Sequence, residues 1–414
     1  MKRHYPDFEE LLNAVPDHRK RHTYQVAEIL SAGLLMFVLR RGSRNHTDDL
    51  AGKVFEGNYL KIFGMRLPIM DTVHLFLKQL SPNELENLRE VLVRKLMERK
   101  VFEKWKFQGY YNLSFDGTGV HSFDYEPFKG CPYKETKNGM KWYVSVLEAK
   151  LVFVNGFSIS LGSEWIVNQN GKFEKQDCEH GAFRRLTAKI KAAFPRLAVL
   201  VSADGLYCNG PIFELIKHYQ WKYVFTFKDD SLKSLWKTIK KQTCQSKEKV
   251  EGKNQKGDWL YEHHHFLNNL SYKEHHLNYV EHLIVTDKDQ INERHVHLTN
   301  LKVNPYNVEQ VSLQGRLRWT IENEGFNCQK NNGLGLGHKF TRKDLNTIKN
   351  YYLLMQIGHL ISQLVERLSS FKKQLKDSGK SFKAFLYDIV GAMKNDIKLS
   401  DIIRTASNNK QLRY

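Results

Sequence analysis

The sequence predicts an α/β protein with a mixed sheet, a β-rich insertion within the sheet region, an all-helical region before it and a helical tail after it. Three observations support this fold class. Residues 1–104 carry helical apolar spacing, residues 105–227 alternate strand-like runs with helices, and residues 228–304 add further strand-like runs. At 414 residues with a hydrophobic fraction of 41%, the chain can form two or three domains.

The first 104 residues are predicted to be helical. Helices are expected at Phe8–Val15, Tyr24–Arg40 and Met70–Leu80. A further helix should begin after Ser81, because Ser81-Pro82-Asn83-Glu84 has the form of a capping box with proline at the first helical position. Leucines follow it at helical spacing.

The chain is strongly basic. It contains 64 Lys and Arg against 45 Asp and Glu, a formal net charge of +19, which favours a polyanionic partner. Basic clusters at residues 19–21 and 40–44 lie between the predicted helices. Loop solvation explains either cluster alone, whereas together they favour a DNA-binding role for residues 1–104. A merely solvated basic surface is the alternative interpretation.

Residues 105–227 are predicted to form the first part of the sheet. Strands are expected at Tyr110–Asp116, Trp142–Val154, Phe157–Leu161, Leu197–Ala203 and Trp221–Phe227. Asn155-Gly156 is a strong hairpin signal between the second and third strands. Helices at Glu179–Ala193 and Pro211–Tyr219 precede the fourth and fifth strands. This order should leave the ends of the first and fourth strands adjacent in the middle of the sheet.

An insertion is predicted over residues 228–304. It begins with the lysine-rich stretch Lys228–Lys256 and continues with strand-like runs at Trp259–Phe266, Leu277–Val285 and Arg294–Leu298. This pattern is typical of a basic, β-rich subdomain.

Helical patterning returns over residues 305–370 and continues to the end of the chain. Asn307 should cap a helix that begins near Val308, in a capping box with Gln310. This helix would carry both Arg318 and Glu322. A long helix is predicted at Lys343–Leu368, followed by a basic helical segment over residues 371–414.

Three acidic residues are the candidate catalytic group. Asp116 and Asp204 each follow a buried strand-like run and precede a glycine, where the backbone is expected to turn. Glu322 lies four residues after Arg318, on the same helical face. Either Asp-Gly alone is better explained as turn chemistry, and Glu322 alone as a surface glutamate paired with an arginine. Together, the three carboxylates could hold a pair of hard divalent cations and act on a phosphodiester.

The chain resembles the DDE transposases of bacterial insertion sequences, in the group with a Tyr-x2-Arg-x3-Glu-x6-Lys signature. The resemblance covers residues 113–360. It rests on Phe115-Asp-Gly-Thr-Gly, Glu148-Ala-Lys-Leu-Val, Asn155-Gly-Phe, Lys175-Gln-Asp-Cys-Glu179, Ala203-Asp204-Gly-Leu-Tyr207, Trp221-Lys-Tyr-Val-Phe-Thr-Phe-Lys-Asp-Asp230 and Arg318-Trp-Thr-Ile-Glu322-Asn-Glu-Gly-Phe-Asn. It implies a ribonuclease H-like catalytic core with a β-rich insertion before the last acidic residue.

The resemblance also implies roles for individual residues. Asp116, Asp204 and Glu322 match the three metal-binding acids, which would hold two Mg²⁺ or Mn²⁺ ions. Arg318 matches the signature arginine, and Lys228 and Lys330 are further candidates for binding DNA phosphates. Two positions depart from the signature: Gly315 replaces the tyrosine, and Gln329 replaces the lysine, with Lys330 one residue later.

The implied activity is metal-dependent nicking at the ends of a mobile element, followed by attack of the freed 3′-hydroxyl on target DNA. Its partners would be double-stranded DNA and a second copy of the chain, assembled on DNA in the cytoplasm at the bacterial nucleoid. Two alternatives remain open. One is a catalytically silent DNA-binding protein derived from a transposase, and the other is a nuclease of the same fold without strand transfer.

Several features exclude or disfavour other classes. The five cysteines are scattered, which favours a reduced cytosolic protein without a structural zinc. The most apolar segment, Ile29–Leu39, is about half the roughly 20 residues of a membrane span, so a buried helix is expected there.

Histidines cluster at residues 263–265, 275–276, 295 and 297. Neighbouring strand residues point to opposite faces, and no carboxylate or cysteine frames these histidines with zinc spacing. Polar strand faces are therefore expected rather than a metal site.

Overall fold

A mixed sheet with helices on both faces organises the chain. The computed structural model describes residues 4–168, 177–253, 258–287, 290–398 and 400. In these ranges the strands are β1 Tyr111–Phe123, β2 Tyr133–Thr136, β3 Gly139–Val152, β4 Ser158–Ile166, β5 Val199–Ala203, β6 Lys222–Thr226, β7 Gln245–Lys253, β8 Trp259–Tyr272, β9 His275–Thr286 and β10 Ile291–Thr299. They form one sheet in the order β2-β3-β1-β5-β6-β10-β9-β8-β7, with β4 paired to β3.

The centre of the sheet is parallel and its flanks are antiparallel. Strand β5 pairs in parallel with both β1 and β6, and Ser114 of β1 lies opposite Ser202 of β5. Strands β1, β3 and β4 form an antiparallel meander. The predicted adjacency of the first and fourth strands, β1 and β5, is therefore confirmed.

The hairpin predicted at Asn155-Gly156 is also confirmed. It joins β3 to β4, where Val152 lies opposite Ser158. Gly156 has a φ of +81° and donates its amide to the carbonyl of Phe153 at 2.9 Å. Glycine adopts this left-handed backbone conformation without the steric penalty that a Cβ would impose.

Strand β1 is longer than predicted. It continues through Asp116 and Gly117 to Phe123, and Asp116 lies opposite Glu148 of β3. The turn expected at Asp116-Gly117 is therefore wrong. The long partner strand β3 supplies hydrogen bonds beyond this point, and they outweigh the local preference of Asp-Gly for a turn.

The predicted insertion extends the main sheet and is not a separate subdomain. Strand β10 pairs with β6, placing Leu298 opposite Phe225, and β9, β8 and β7 follow in antiparallel order. The three predicted strand-like runs do form strands, β8, β9 and β10, but a sequence pattern alone cannot identify a pairing partner. The lysine-rich stretch also forms β7 and an unpredicted helix, and residues 254–256 of it lie outside the described residues.

Within the described residues, which leave out residues 399 and 401–414 of the predicted C-terminal helical segment, the helices confirm most of the predicted pattern. They are α1 Phe8–Asn13, α2 Val26–Val38, α3 Arg44–Asp48, α4 Lys53–Phe63, α5 Met70–Gln79, α6 Pro82–Glu98, α7 Glu179–Ala193, α8 Gly210–His218, α9 Lys233–Ile239, α10 Val308–Arg316, α11 Cys328–Asn331, α12 Leu345–Glu366, α13 Ser369–Ser378 and α14 Phe382–Met393. Helices α3, α4 and α9 were not predicted. Pro82 does begin α6, but the Ser81 side chain forms no capping hydrogen bond, so that capping box is wrong.

The helices cover the sheet on both faces. Helices α7 and α8 lie on one face, where Phe183 packs against Phe115 and Phe213 stacks on Phe225. Helices α10 and α12 lie on the other, where Gln314 contacts Asn112 and Tyr352 contacts Glu148. The result is a three-layer α/β/α arrangement.

Helices from both ends of the chain share one core with the sheet. Helix α2 crosses α12 so closely that a Cβ on Gly33 would lie 2.7 Å from Leu354 Cδ2. A Cβ on Gly358 would likewise lie 2.7 Å from Phe37 Cβ. Helix α14 packs on α4, and Asn58 donates to the carbonyls of Met393 and Asn395 at 2.9 and 2.6 Å.

The basic clusters between the N-terminal helices are partly structural. Arg40 is 3% exposed and pairs with Glu366 at 3.0 Å, and buried Arg41 donates to the carbonyl of His46. Arg19 pairs with Asp17 at 2.6 Å. These three arginines hold the fold together, which weakens the interpretation of the clusters as DNA-contacting groups.

Within the described residues, none of the helices combines the length and the apolar character that crossing a membrane requires.

Candidate active site

Two of the predicted acids lie at neighbouring positions in the parallel centre of the sheet, Asp116 within β1 and Asp204 directly after β5. Asp116 is two residues beyond Ser114 on β1, and Asp204 is two residues beyond Ser202 on β5. Since Ser114 and Ser202 are paired, the two aspartates lie at the same level of the sheet. Asp204 also opens a single 3₁₀ turn, because its carboxylate accepts the amide of Leu206 at 2.8 Å.

The third acid reaches this level from the helical layer. Helix α10 ends at Arg316, and Glu322 belongs to a separate π-helical segment, Ile321–Asn327. The prediction of one uninterrupted helix carrying Arg318 and Glu322 is therefore wrong. The predicted pairing is present nevertheless, since Arg318 Nη1 donates to Glu322 Oε1 at 2.9 Å.

Buried hydrogen bonds fix the end of α10 over the two aspartate strands. Asn112 of β1 donates to the carbonyl of Gln314 at 2.9 Å, and Ser202 of β5 donates to Asn112 Oδ1 at 2.7 Å. At the other end of α10, the predicted capping box is wrong. Asn307 accepts the amide of Asn304 instead of capping the helix.

The neighbouring acids perturb Asp116 electrostatically. Burial is the main cause that raises the pKa of Asp116 to about 7, and the negative charge of Glu322 is the next. Glu179 and Asp204 raise this pKa further, whereas Arg318 lowers it. Asp116 is therefore within electrostatic reach of the other acids, and their negative charges disfavour its ionisation.

Glu179 is a fourth acid that the sequence reasoning did not assign to the site. It begins α7 and lies against Gly117, where an added Cβ would clash with its carboxylate. Tyr207 donates to Glu179 Oε2 at 3.3 Å, and burial, followed by the charge of Asp204, raises the pKa of Glu179. Two sequence features could have identified Glu179 as a site residue. It begins a predicted helix, and it belongs to the motif of residues 175–179 on which the resemblance rests. Residues 175–176 of that motif lie outside the described residues.

The acids approach one another without closing on a single point. Among the described residues, they do not form a group of three whose ligand atoms all lie within 4.8 Å of one another. The 4.8 Å limit applies to ligands of one ion. Carboxylates that share two ions about 3.5–4 Å apart can lie farther from one another. Glu322, the acid on the helical side, is instead held by Arg318.

The three candidate phosphate-binding residues differ in how close they lie to the acids and in how exposed they are. Lys228 lies over Gly205, next to Asp204: a Cβ on that glycine would be 2.9 Å from Lys228 Cγ. Arg318 is only 7% exposed and stacks on Trp319, which is itself 49% exposed. Lys330 is exposed on α11, beyond the π-helical segment.

The two departures from the signature lie in packed positions. An added Cβ on Gly315 would clash with the ring of His297, which is 3% exposed. Gln329 is fully buried and donates to Gln356 at 2.8 Å and to His359 at 3.0 Å. A tyrosine at the first position or a lysine at the second would therefore require repacking.

The Glu148-Ala-Lys150 motif belongs to the same buried polar network. Glu148 is fully buried and accepts hydrogen bonds from Ser163 at 2.7 Å and from Tyr352 at 2.8 Å. Lys150 is also fully buried and donates to Gln356 at 3.1 Å. These residues fasten β3 and β4 to α12 beneath the candidate site.

A second cluster forms where no metal site was expected. Glu262, His264 and His282 each place one ligand atom within 4.8 Å of the others. Directly adjacent histidines do point to opposite faces, as predicted. Residues two apart share a face, however, and β9 brings a third side chain to the same place. The expectation of polar strand faces without a framing carboxylate is therefore wrong here, because cross-strand pairing brings Glu262, His264 and His282 together.

The chain was also compared with known proteins. A scan against models of protein families found no match, and a search of the curated proteins found none. Membership of the transposase family therefore remains a proposal.

Proposed function

We propose that the protein is a metal-dependent DNA transposase, which cuts phosphodiesters at the ends of its element and joins the 3′-hydroxyl ends to target DNA. One observation carries this proposal. Asp116 within β1 and Asp204 directly after the parallel strand β5 lie at the same level of the sheet, and Asp116 has its pKa raised to about 7 by burial, by Glu322 and by the other nearby acids. In a chain of net charge +19, such an acidic centre suits a polyanionic substrate.

The order of the strands supports the proposed catalytic core. The meander β4-β3-β1 is followed by β5 and β6, which run parallel to β1 in the middle of the sheet. This arrangement is similar to a ribonuclease H-like core. Strands β7–β10 come between β6 and Glu322 in the chain, where the resemblance implies an insertion.

The acids suit Mg²⁺ or Mn²⁺, because carboxylate oxygens are the ligands that these hard cations prefer. Asp116, Asp204 and Glu322 would hold two such ions, and Glu179 lies close enough to Asp204 to assist. The raised pKa of Asp116 fits this assignment, since bound positive charge would relieve the crowding of the carboxylates. When bound, the ions supply activation of the attacking oxygen and stabilisation of the leaving oxygen.

The remaining side chains have roles in positioning. Arg318 orients Glu322, and Lys228 next to Asp204 can neutralise a phosphate. Trp319 and Leu206, exposed at 49% and 45%, can contact bases beside the acids. The π-helical segment around Glu322 agrees with a functional role, since such segments often occur at functional sites.

The proposed partners follow from this chemistry. Double-stranded DNA would supply both the element ends and the target, and two copies of the chain would assemble on paired ends. The proposed location is the cytoplasm of a bacterium, at the nucleoid.

Cleavage of a supercoiled plasmid that carries the flanking element ends tests the proposal. Wild type should cut at the ends only when Mg²⁺ is present, and Glu322→Gln should bind the same DNA without cutting it. Binding without cutting by both proteins would favour the silent DNA-binding alternative. Cutting without joining of the 3′ end to a second duplex would favour the nuclease alternative.

A further inference from the structure

The cluster in the extended part of the sheet is built by strand geometry. His264 on β8 lies directly opposite His282 on β9, so both side chains point to the same face. Glu262 is two residues before His264 and shares that face. The imidazole rings stack with their centroids 4.7 Å apart, beneath the C-terminal end of α10, where Arg316 approaches His282.

The histidine ring nitrogens and the Glu262 carboxylate lie close together, but they do not complete one another's hydrogen bonds. Glu262 Oε1 lies 2.8 Å from His282 Nε2 and 3.6 Å from His264 Nε2. The two histidines are 0% and 2% exposed. Even so, among the described residues neither His282 Nε2 nor His264 Nδ1 has a hydrogen-bond partner. The contact of Glu262 with His282 Nε2 is short but is not aligned as a hydrogen bond. Unpartnered buried nitrogens are unfavourable, and they point to a missing ligand.

We infer that Glu262, His264 and His282 form a binding site for a transition-metal cation of the Zn²⁺ class, separate from the four acids. Zinc binds imidazole nitrogen and carboxylate oxygen at about 2.0–2.2 Å, which places tetrahedral ligands roughly 3.3 Å apart. The observed contacts of 2.8 and 3.6 Å bracket that separation. Two imidazoles and one carboxylate favour Zn²⁺ over Mg²⁺, and three protein ligands leave a fourth position open.

Arg316 provides the competing explanation. Its Nη1 lies 3.5 Å from His282 Nδ1, so Arg316, His282 and Glu262 could form a row of hydrogen bonds instead. The misaligned contact at Nε2 and the unpartnered Nδ1 of His264 argue against that row. The charges of Glu309 on His264 and of Glu293 on His282 act against the positive charge of Arg316, which His295 reinforces at His282.

The test is a zinc titration of the full-length protein. The protein is stripped of metal and then titrated with Zn²⁺ in competition with a chromophoric chelator, with Mg²⁺ in large excess to saturate oxygen-only sites. Wild type should bind one Zn²⁺ tightly, and Zn²⁺ should raise its melting temperature. Glu262→Gln and His282→Gln should each weaken binding by at least about tenfold. His276→Gln, a change at an exposed histidine on the same strand, should bind Zn²⁺ like wild type.

Equal Zn²⁺ affinity in wild type and Glu262→Gln would overturn the inference and favour the hydrogen-bonded row. Glu262→Gln keeps the size of the side chain, so it remains informative if His282→Gln fails to fold. Co²⁺ bound to wild type gives a second, independent result. A visible spectrum typical of four-coordinate Co²⁺ would support the site, and a six-coordinate spectrum would refute it. Neither measurement depends on DNA cleavage, so failure of the proposed function would leave this test intact.

Discussion

Asp116 shows how strongly the surroundings of a residue determine its chemistry. Its place within β1 buries it among other acids, and its pKa rises to about 7, first because of burial and then because of their negative charges. A carboxyl group whose pKa is raised by folding stabilises the folded state while it is protonated. That contribution is present in full below the ordinary pKa near 4, and it is lost as the pH rises through about 7.

Replacing Asp116 should therefore stabilise the metal-free protein at high pH. In a chelator at about pH 8, we expect Asp116→Asn to raise the free energy of unfolding by about 1–3 kcal/mol relative to wild type. At about pH 4 the difference should nearly disappear. Chemical denaturation at both pH values measures this. Asp124→Asn, at an exposed position just beyond β1, is the matched control, and a pH-independent effect of Asp116→Asn would contradict the prediction.

Gly315 should tolerate no side chain, because the ring of His297 occupies the space that a Cβ needs. We expect Gly315→Ala to lower the free energy of unfolding by about 1–3 kcal/mol, as overpacking in a core does. Gly337→Ala is the control, since a Cβ there would meet no atom of the described residues within 4 Å. Equal denaturation midpoints for the two variants would show that His297 moves aside freely.

At the scale of elements, the short helix α11 presents adjacent side chains to different environments. Gln329 faces the buried network with Gln356 and His359, and Lys330 faces solvent. Restoring the signature lysine at position 329 would bury a second ammonium group near Lys150. We expect Gln329→Lys to lower stability by about 2–4 kcal/mol.

Lys330→Gln is the matched comparison on the same helix. It should leave the melting temperature unchanged, and it should weaken DNA binding if Lys330 contacts a phosphate. Thermal melts and DNA titrations of both variants separate the two effects. An unchanged melting temperature for Gln329→Lys would mean that α11 can rotate to expose residue 329.

The elements also show what the sequence could predict. Helix α7 was predicted from Glu179 to Ala193, as observed, because its apolar spacing is local information. The length of β1 was not predictable, since it depends on hydrogen bonds from β3. The pairing of β10 with β6 and the meeting of His264 with His282 depend on strand register between distant parts of the chain. In the candidate site, the four-residue spacing from Arg318 to Glu322 predicted their ion pair. The sequence pattern did not indicate that the helix is interrupted near these residues.

At the scale of the whole molecule, a helix of the N-terminal region, α4, packs against a helix of the C-terminal region, α14. Leu386 on α14 is 4% exposed in the cluster with Phe55 and Tyr59 of α4. We expect Leu386→Ala to lower the free energy of unfolding by about 2–4 kcal/mol. Tyr387→Ala, at the next position but 43% exposed, should have little effect, and similar losses for both would contradict this packing.

The net charge of +19 should dominate DNA binding. We expect the affinity of the whole chain for duplex DNA to fall by about three orders of magnitude between about 50 and 200 mM salt. Lys228→Gln should reduce the slope of log affinity against log salt by about one, since one phosphate contact is removed. Fluorescence anisotropy across a salt series measures both. A slope near zero for wild type would argue against a nucleic acid partner.

The pairing of β10 with β6 limits which segments of this protein can be deleted or replaced, by engineering or in evolution. The sequence of residues 228–304 predicts a separate insertion, but these residues cannot be replaced as one independent unit because β10 belongs to the main sheet. Their removal would leave the backbone of β6 without its antiparallel neighbour, close to the acidic centre. An unpaired strand edge invites association with other chains. Shortened descendants of this chain should therefore retain β10, or acquire another strand in its place, before they can lose the rest.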